Sequence, residues 1–164
     1  MKVKMMVLGL VLGSMLVGAN TVNAAPPVPG AIFTTNSACS TVNSNMYSSQ
    51  DEVYLNGGPS RPGAAGLKDG SYYIQVTSPS GEVLGKSLAP AVTVVGGEFV
   101  QCYQLSSIVN SAWSGFTELG YNFTSNRGGE YKVWVSNVST FDNNSSKTDS
   151  FKIKQAAGPE IGPM

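Results

Sequence analysis

Two segments of the chain alternate strictly between apolar and polar positions. SYYIQVT (71–77) places Tyr72, Ile74 and Val76 on one face of an extended strand, and GGEYKVWVS (128–136) repeats the pattern. A repeat of two residues is the side-chain period of a β-strand, and a single apolar face indicates burial on one side. The two segments therefore predict half-buried strands of a sheet.

Shorter runs of β-branched and aromatic residues, separated by turn residues, fill much of the remaining chain. Further strands are predicted in AIFTT (31–35), DEVYLNGG (51–58), AVTVVGGEFVQCYQL (91–105) and SFKIK (150–154). The third of these contains Gly96 and Gly97, which suit the positive φ angles of a two-residue hairpin turn.

Between these runs, SSIVNSAWSGFTEL (106–119) is interpreted as a loop or one helical turn, and DNNSSKTD (142–149) as a polar loop. Many short strands joined by glycine-rich turns predict an all-β fold. The expected architecture is a single antiparallel β-sandwich.

The N-terminus has the features of a cleavable signal peptide. Lys2 and Lys4 precede an apolar run, and Val22 and Ala24 supply the small-residue pattern before a cleavage site after Ala24. The apolar run is shorter than the roughly 20 residues that span a bilayer, so stable membrane insertion is not expected. The predicted organisation is a signal peptide (1–24), a proline-rich lead-in (25–30), the β-sandwich domain (31–154) and a loose tail (155–164). The expected location is outside the cytoplasm, either extracellular, at the cell surface or periplasmic.

Cys39 and Cys102 are the only two cysteines. In an exported chain such a pair predicts one structural disulfide. The competing interpretation, a redox or metal-binding pair, lacks both CxxC spacing and histidine.

The charge pattern argues against several classes of function. Ten basic and ten acidic residues balance, and no run of Lys or Arg suggests a nucleic-acid partner. The absence of histidine removes Ser-His and Cys-His catalytic pairs and His-based metal sites. Asp142, Asn144 and Ser146 fit part of a calcium loop, but Lys147 and Ile153 occupy the required Gly and Glu positions, which favours a solvated loop. No enzymatic activity, cofactor or metal is therefore predicted.

A shared motif marks the entrance of both alternating strands. LKDGSYYIQV (67–76) and NRGGEYKVWV (126–135) each carry Gly, one residue and Tyr. This predicts strand-corner tyrosines at Tyr72 and Tyr131, whose rings pack inward while their hydroxyls bond back across the corner. Asp69 is then interpreted as a turn residue and not as a catalytic carboxylate.

GLKDGSYYIQVTSPSG (66–81) resembles the Leu-x-x-Gly-x-Tyr strand of prealbumin-like sandwiches, which include collagen-adhesin B-type repeats and carboxypeptidase regulatory-like domains. With AIFTTNSACSTVN...DEVYLNGG and GGEYKVWVSNVSTF...SSKTDSFKIK, it is also similar to uncharacterised secreted bacterial proteins that carry such modules. The resemblance implies an immunoglobulin-like or prealbumin-like sandwich of the bacterial surface. Adhesin repeats often contain a lysine isopeptide bond, but AIFTT lacks the lysine, and Lys132, Lys152 and Lys154 each fit a solvent-facing position.

The leading hypothesis is a non-catalytic structural or adhesion-type protein of the cell surface or extracellular matrix, with itself or other surface proteins as partners. The alternative is a ligand-binding module for a glycan or protein, with a platform of Tyr73, Tyr103, Trp113 and Trp134. Against that platform, Trp134 would fill the core and Tyr131 would face a second layer, which the usual burial of large aromatics favours.

Overall fold

The computed structural model describes residues 28–154, and the regular secondary structure of this segment is almost entirely β-strand. The eleven strands are β1 (Ala31–Thr35), β2 (Met46–Tyr47), β3 (Tyr54–Gly58), β4 (Gly70–Thr77), β5 (Val83–Lys86), β6 (Val92–Val95), β7 (Glu98–Phe99), β8 (Tyr103–Gln104), β9 (Asn110–Ser111), β10 (Glu130–Ser136) and β11 (Ser146–Ile153). Only two short 3₁₀ turns, Gln50–Glu52 and Leu105–Ser107, interrupt them within this segment. The predicted all-β class is confirmed.

The strands form two sheets. The larger sheet has the order β2-β11-β10-β4-β5-β9, with β6 joining β4 and carrying β7, and the smaller sheet has the order β1-β3-β8. Every pair is antiparallel except β2 with β11, which run parallel. The expectation of a purely antiparallel architecture is wrong at that pair. The connection from β1 in the smaller sheet leads to the edge of the larger sheet, where β2 runs in the same direction as β11.

The central ladder of the larger sheet places its apolar residues on the inner face. Val133 pairs with Val76 and Val135 with Ile74, and these four side chains are fully buried. The inner face belongs to one hydrophobic core that also includes Leu55 and other residues of the smaller sheet. Burial of such side chains is worth about 1.5–3 kcal/mol each.

Two local predictions have opposite outcomes. The hairpin is confirmed, because Val95 pairs with Glu98 across Gly96 and Gly97, whose φ angles are 64° and 86°. The prediction of a polar loop at 142–149 is wrong in its second half, because β11 already begins at Ser146. Pairing with β10 along the whole of 146–152 imposes the extended conformation on this polar stretch.

A covalent bond and a partly buried carboxylate connect distant parts of the chain. Cys39 and Cys102 form the predicted disulfide, with 6.2 Å between their Cα atoms and a sequence separation of 63. Asp149 on β11 accepts hydrogen bonds from the backbone N–H (2.8 Å) and the hydroxyl (3.2 Å) of Thr34 on β1. The first and last described strands are therefore held together directly.

An aromatic cluster fills the core beside β11. The rings of Tyr131 and Phe151 stack with 5.1 Å between centroids, and Tyr121 meets both edge-on. Tyr121 is 4% exposed, and its hydroxyl has no hydrogen-bond partner among residues 28–154. Burial raises the pKa of Tyr121 well above the ordinary value of 10.0, with smaller contributions from Tyr131, Asp51 and Tyr47.

The signal peptide (1–24), residues 25–27 of the lead-in and the tail (155–164) lie outside the described residues. Of the rest of the lead-in, Val28 is buried against the core.

Removal of the disulfide should lower stability substantially. The double variant Cys39→Ser/Cys102→Ser frees a loop of 63 residues, which lowers the free energy of unfolding by about 4 kcal/mol in the chain-entropy model. Urea titration followed by circular dichroism measures this change. Reductant should shift the wild-type midpoint and leave that of the variant unmoved, and a loss below about 1 kcal/mol would contradict the expected constraint.

The same Tyr→Phe change should have opposite effects on the free energy of unfolding at two buried positions. Tyr121→Phe removes a buried hydroxyl without a partner and should raise the free energy of unfolding by about 1 kcal/mol. Tyr72→Phe breaks a bond of 2.6 Å to the Lys68 carbonyl and should lower it by about 1 kcal/mol. Equal shifts in urea unfolding would show that the pairing of the hydroxyl does not decide its effect.

The raised pKa of Tyr121 also predicts that the protein loses stability at alkaline pH. Since the native state holds this proton more tightly than the unfolded state, the stabilisation is present in full below the unfolded pKa near 10 and is lost as pH rises through the native pKa. Tyr121→Phe should make the loss of stability above pH 10 less steep.

Candidate functional site

The outer face of the larger sheet carries a row of polar and aromatic side chains across five strands. The registers align Thr148 (β11), Trp134 (β10), Gln75 (β4), Lys86 (β5) and Asn110 (β9). Side chains opposite each other on one face of a sheet lie within contact distance of their neighbours. The row therefore forms one continuous strip, called here the outer row.

Trp134 is held on this face by two neighbours. Its indole N–H donates to the Thr77 hydroxyl at 3.1 Å, and the Lys132 ammonium lies 5.4 Å from the ring centroid. The interpretation that Trp134 fills the core is wrong, because Trp134 is only partly buried while Tyr131 is 3% exposed. The inner positions of β10 are occupied by Tyr131, Val133 and Val135, so the strand period sends Trp134 outward.

A second lysine–aromatic pair stands two strands away. The Lys86 ammonium lies 4.7 Å from the centroid of the Phe116 ring. The loop that carries Phe116 is braced by backbone hydrogen bonds from Phe116 to Ser111 (2.9 Å) and from Ser111 to Glu118 (2.8 Å). Sequence reasoning missed this pair, because Phe116 follows a glycine in an aperiodic loop and has a positive φ of 66°.

A shallow cavity of about 500 Å³ adjoins the outer row. Among its lining residues are Lys132, Ser150, Met46 and the ion pair of Lys152 with Glu130, whose charged atoms are 2.9 Å apart. Pockets of this size accept small polar molecules or part of a chain. A different cavity of about 600 Å³ includes Phe123 in its lining.

The structure does not gather the four predicted platform residues into one surface. Trp113 is 75% exposed, on the loop after β9, where its backbone N–H donates to the Asn122 side-chain oxygen. Tyr73 pairs with Ser136 on the outer side of β4 and β10. Tyr103 lies in the smaller sheet, packed edge-on against Phe99 at 5.9 Å. Tyr103 therefore does not belong to the face that carries Trp134.

The strand-corner residues have structural hydrogen bonds. The Tyr72 hydroxyl donates to the Lys68 carbonyl, and the Tyr131 hydroxyl accepts from the Thr124 N–H at 3.2 Å. Burial, and to a smaller extent Asp69, raises the pKa of Tyr72. The Asp69 carboxylate accepts from the Gly97 N–H at 2.9 Å, so it connects the entrance of β4 to the hairpin turn.

Acidic side chains do not converge on a metal site in residues 28–154. Asp142 accepts from the Thr140 hydroxyl, whereas Asp149 faces Thr34. The described helical segments include none that is long and apolar enough to cross a membrane.

No protein-family model, curated protein or solved structure matches this chain. The geometry of the outer row is therefore the basis for assigning a function.

The two tryptophans should differ in solvent contact. Trp113→Phe leaves only Trp134, and Trp134→Phe leaves only the exposed Trp113. The variant that retains Trp113 should emit at longer wavelength and be quenched more strongly by acrylamide. Unfolding in urea should give the two variants the same emission wavelength and the same quenching by acrylamide. Equal quenching in the native state would contradict the partial burial of Trp134.

Proposed function

We propose that this chain is a non-catalytic, secreted β-sandwich of adhesion type, and that the outer face of its larger sheet binds a glycan. The observation that carries the proposal is the outer row, in which Trp134 and Lys86 each form part of a lysine–aromatic pair on an accessible surface.

The sandwich and the secreted location have separate support. Two sheets share one hydrophobic core, as in layered β-domains. The Cys39–Cys102 disulfide is typical of proteins in oxidising compartments. The resemblance of the Tyr72 strand to prealbumin-like modules of bacterial surfaces agrees with both.

The chemistry of the outer face suits a sugar better than an apolar ligand. Trp134 presents an amphipathic ring that is fixed by Thr77, and a fixed aromatic side chain loses little conformational entropy on binding. Around it, Gln75, Thr148 and Ser150 offer amide and hydroxyl groups. A flat aromatic surface with hydrogen-bonding groups at its side matches the alternating apolar and hydroxylated faces of a sugar ring.

The carboxylates favour a structural rather than a catalytic role. Asp69 and Asp149 accept backbone hydrogen bonds from distant parts of the chain, and Glu130 is neutralised by Lys152. The chain contains no histidine to act as a general base.

A glycan array probed with the oxidised protein, followed by calorimetry on the glycans that bind, tests the proposal. Trp134→Ala should weaken binding about tenfold, which corresponds to ~1.4 kcal/mol. The matched control is Phe123→Ala, which removes an aromatic ring that is 67% exposed on the other cavity. Circular dichroism verifies that both variants fold.

Binding by the wild type and by Phe123→Ala, together with weakened binding by Trp134→Ala, supports a glycan site on the outer face. An array without any binding, or equal losses in both variants, would contradict it.

A further inference from the structure

The outer face is more basic than the chain as a whole. Ten basic and ten acidic residues balance over the full sequence. On β11, β10, β4 and β5, the strand positions of this face nevertheless carry Lys86, Lys132 and Lys152 against Glu130 alone. The excess of positive charge therefore coincides with the aromatic surface.

Two of these lysines have no acidic partner. The only ion pair among residues 28–154 joins Lys152 to Glu130. Lys86 and Lys132 lie over aromatic rings instead, and a ring neutralises no charge. Both ammonium groups can therefore bind an anionic group of a ligand without first breaking an ion pair with a carboxylate.

The sheet fixes the separation of these two lysines. Lys132 pairs with Thr77 on β4, while Lys86 pairs with Gln75 from the other side of β4. Two strand spacings and a shift of two residues put their backbones about 12 Å apart. Two separated cations on one flat face match a polymer with repeated anionic groups better than a single small anion.

From this arrangement we infer that the ligand of the outer face is an acidic polysaccharide whose carboxylates contact Lys132 and Lys86 while a sugar ring lies against Trp134. The inference rests on the proposed glycan site and specifies the class of its ligand. The hydroxyl and amide groups of Thr148, Gln75 and Asn110 lie along the same row.

Nucleic acid fits this face less well. Its phosphate backbone is bound by many Lys and Arg side chains. The strand positions of the outer face supply three lysines and no arginine. The hydroxyl and amide side chains between the lysines are suited to the hydroxyls of a sugar chain.

The test compares oligogalacturonate with its methyl-esterified form, which has the same sugar units but no carboxylate charge. Calorimetry at low and at physiological salt measures both ligands on the wild type and on Lys132→Gln, Lys86→Gln and Trp134→Ala. Lys68→Gln is the matched control, because it makes the same charge change at an exposed position away from the outer row.

The acid form should bind more tightly than the ester, and added salt should reduce the difference. Lys132→Gln and Lys86→Gln should each weaken binding of the acid form about three- to fivefold, the size of an exposed ion pair. Lys68→Gln should have no effect. Trp134→Ala should weaken both forms.

Each other outcome overturns a defined part of the inference. Equal binding of acid and ester, with loss in Trp134→Ala, overturns the anionic ligand and leaves the glycan site standing. An equal effect of Lys68→Gln assigns binding to general charge and overturns the role of the two lysines. Tighter binding of a single-stranded DNA of matched charge overturns the polysaccharide, and no binding of any glycan overturns both proposals.

Discussion

The antiparallel pairing of β4 with β10 is the constraint on which the rest of the structure depends. Its register aligns Val133 with Val76 and Val135 with Ile74 on the inner face. Because strand side chains alternate, the same register sends Trp134, Lys132 and Gln75 outward together. A slip of β10 by one residue would turn Lys132 and Trp134 inward and expose Val133 and Val135. The core and the proposed binding face are thus two consequences of one alignment.

Features with a strong local signal were the predictable ones. The alternation in 71–77 and 128–136 and the Gly96-Gly97 turn each follow from a few neighbouring residues, and the structure has them where expected. Residues 146–149 are polar and become a strand only because β10 lies beside them. The direction of Trp134 was misjudged because its size was given more weight than the period of its strand.

The pairings within the candidate site could not be predicted from local sequence either. Trp134 stands out in the sequence as one of two tryptophans, but the other side chains of the candidate site come from separate segments of the chain. The sheet register places Thr77 beside Trp134 and Lys86 in the outer row, and a braced loop places Phe116 against Lys86. Such pairings depend on the order of the strands in the sheet, which local patterns do not encode.

The disulfide also determines how the domain would respond to mechanical load. A pull on Val28 and Lys154 can extend the chain only before Cys39 and after Cys102, because the covalent bond keeps the two cysteines 6.2 Å apart at their Cα atoms. Fully extended, the segment from Cys39 to Cys102, with its sequence separation of 63, would span about 220 Å. The disulfide keeps the tension off that length, together with the Gln75 and Lys86 part of the outer row. The disulfide therefore limits how far a pull on its two ends can lengthen this part of the chain.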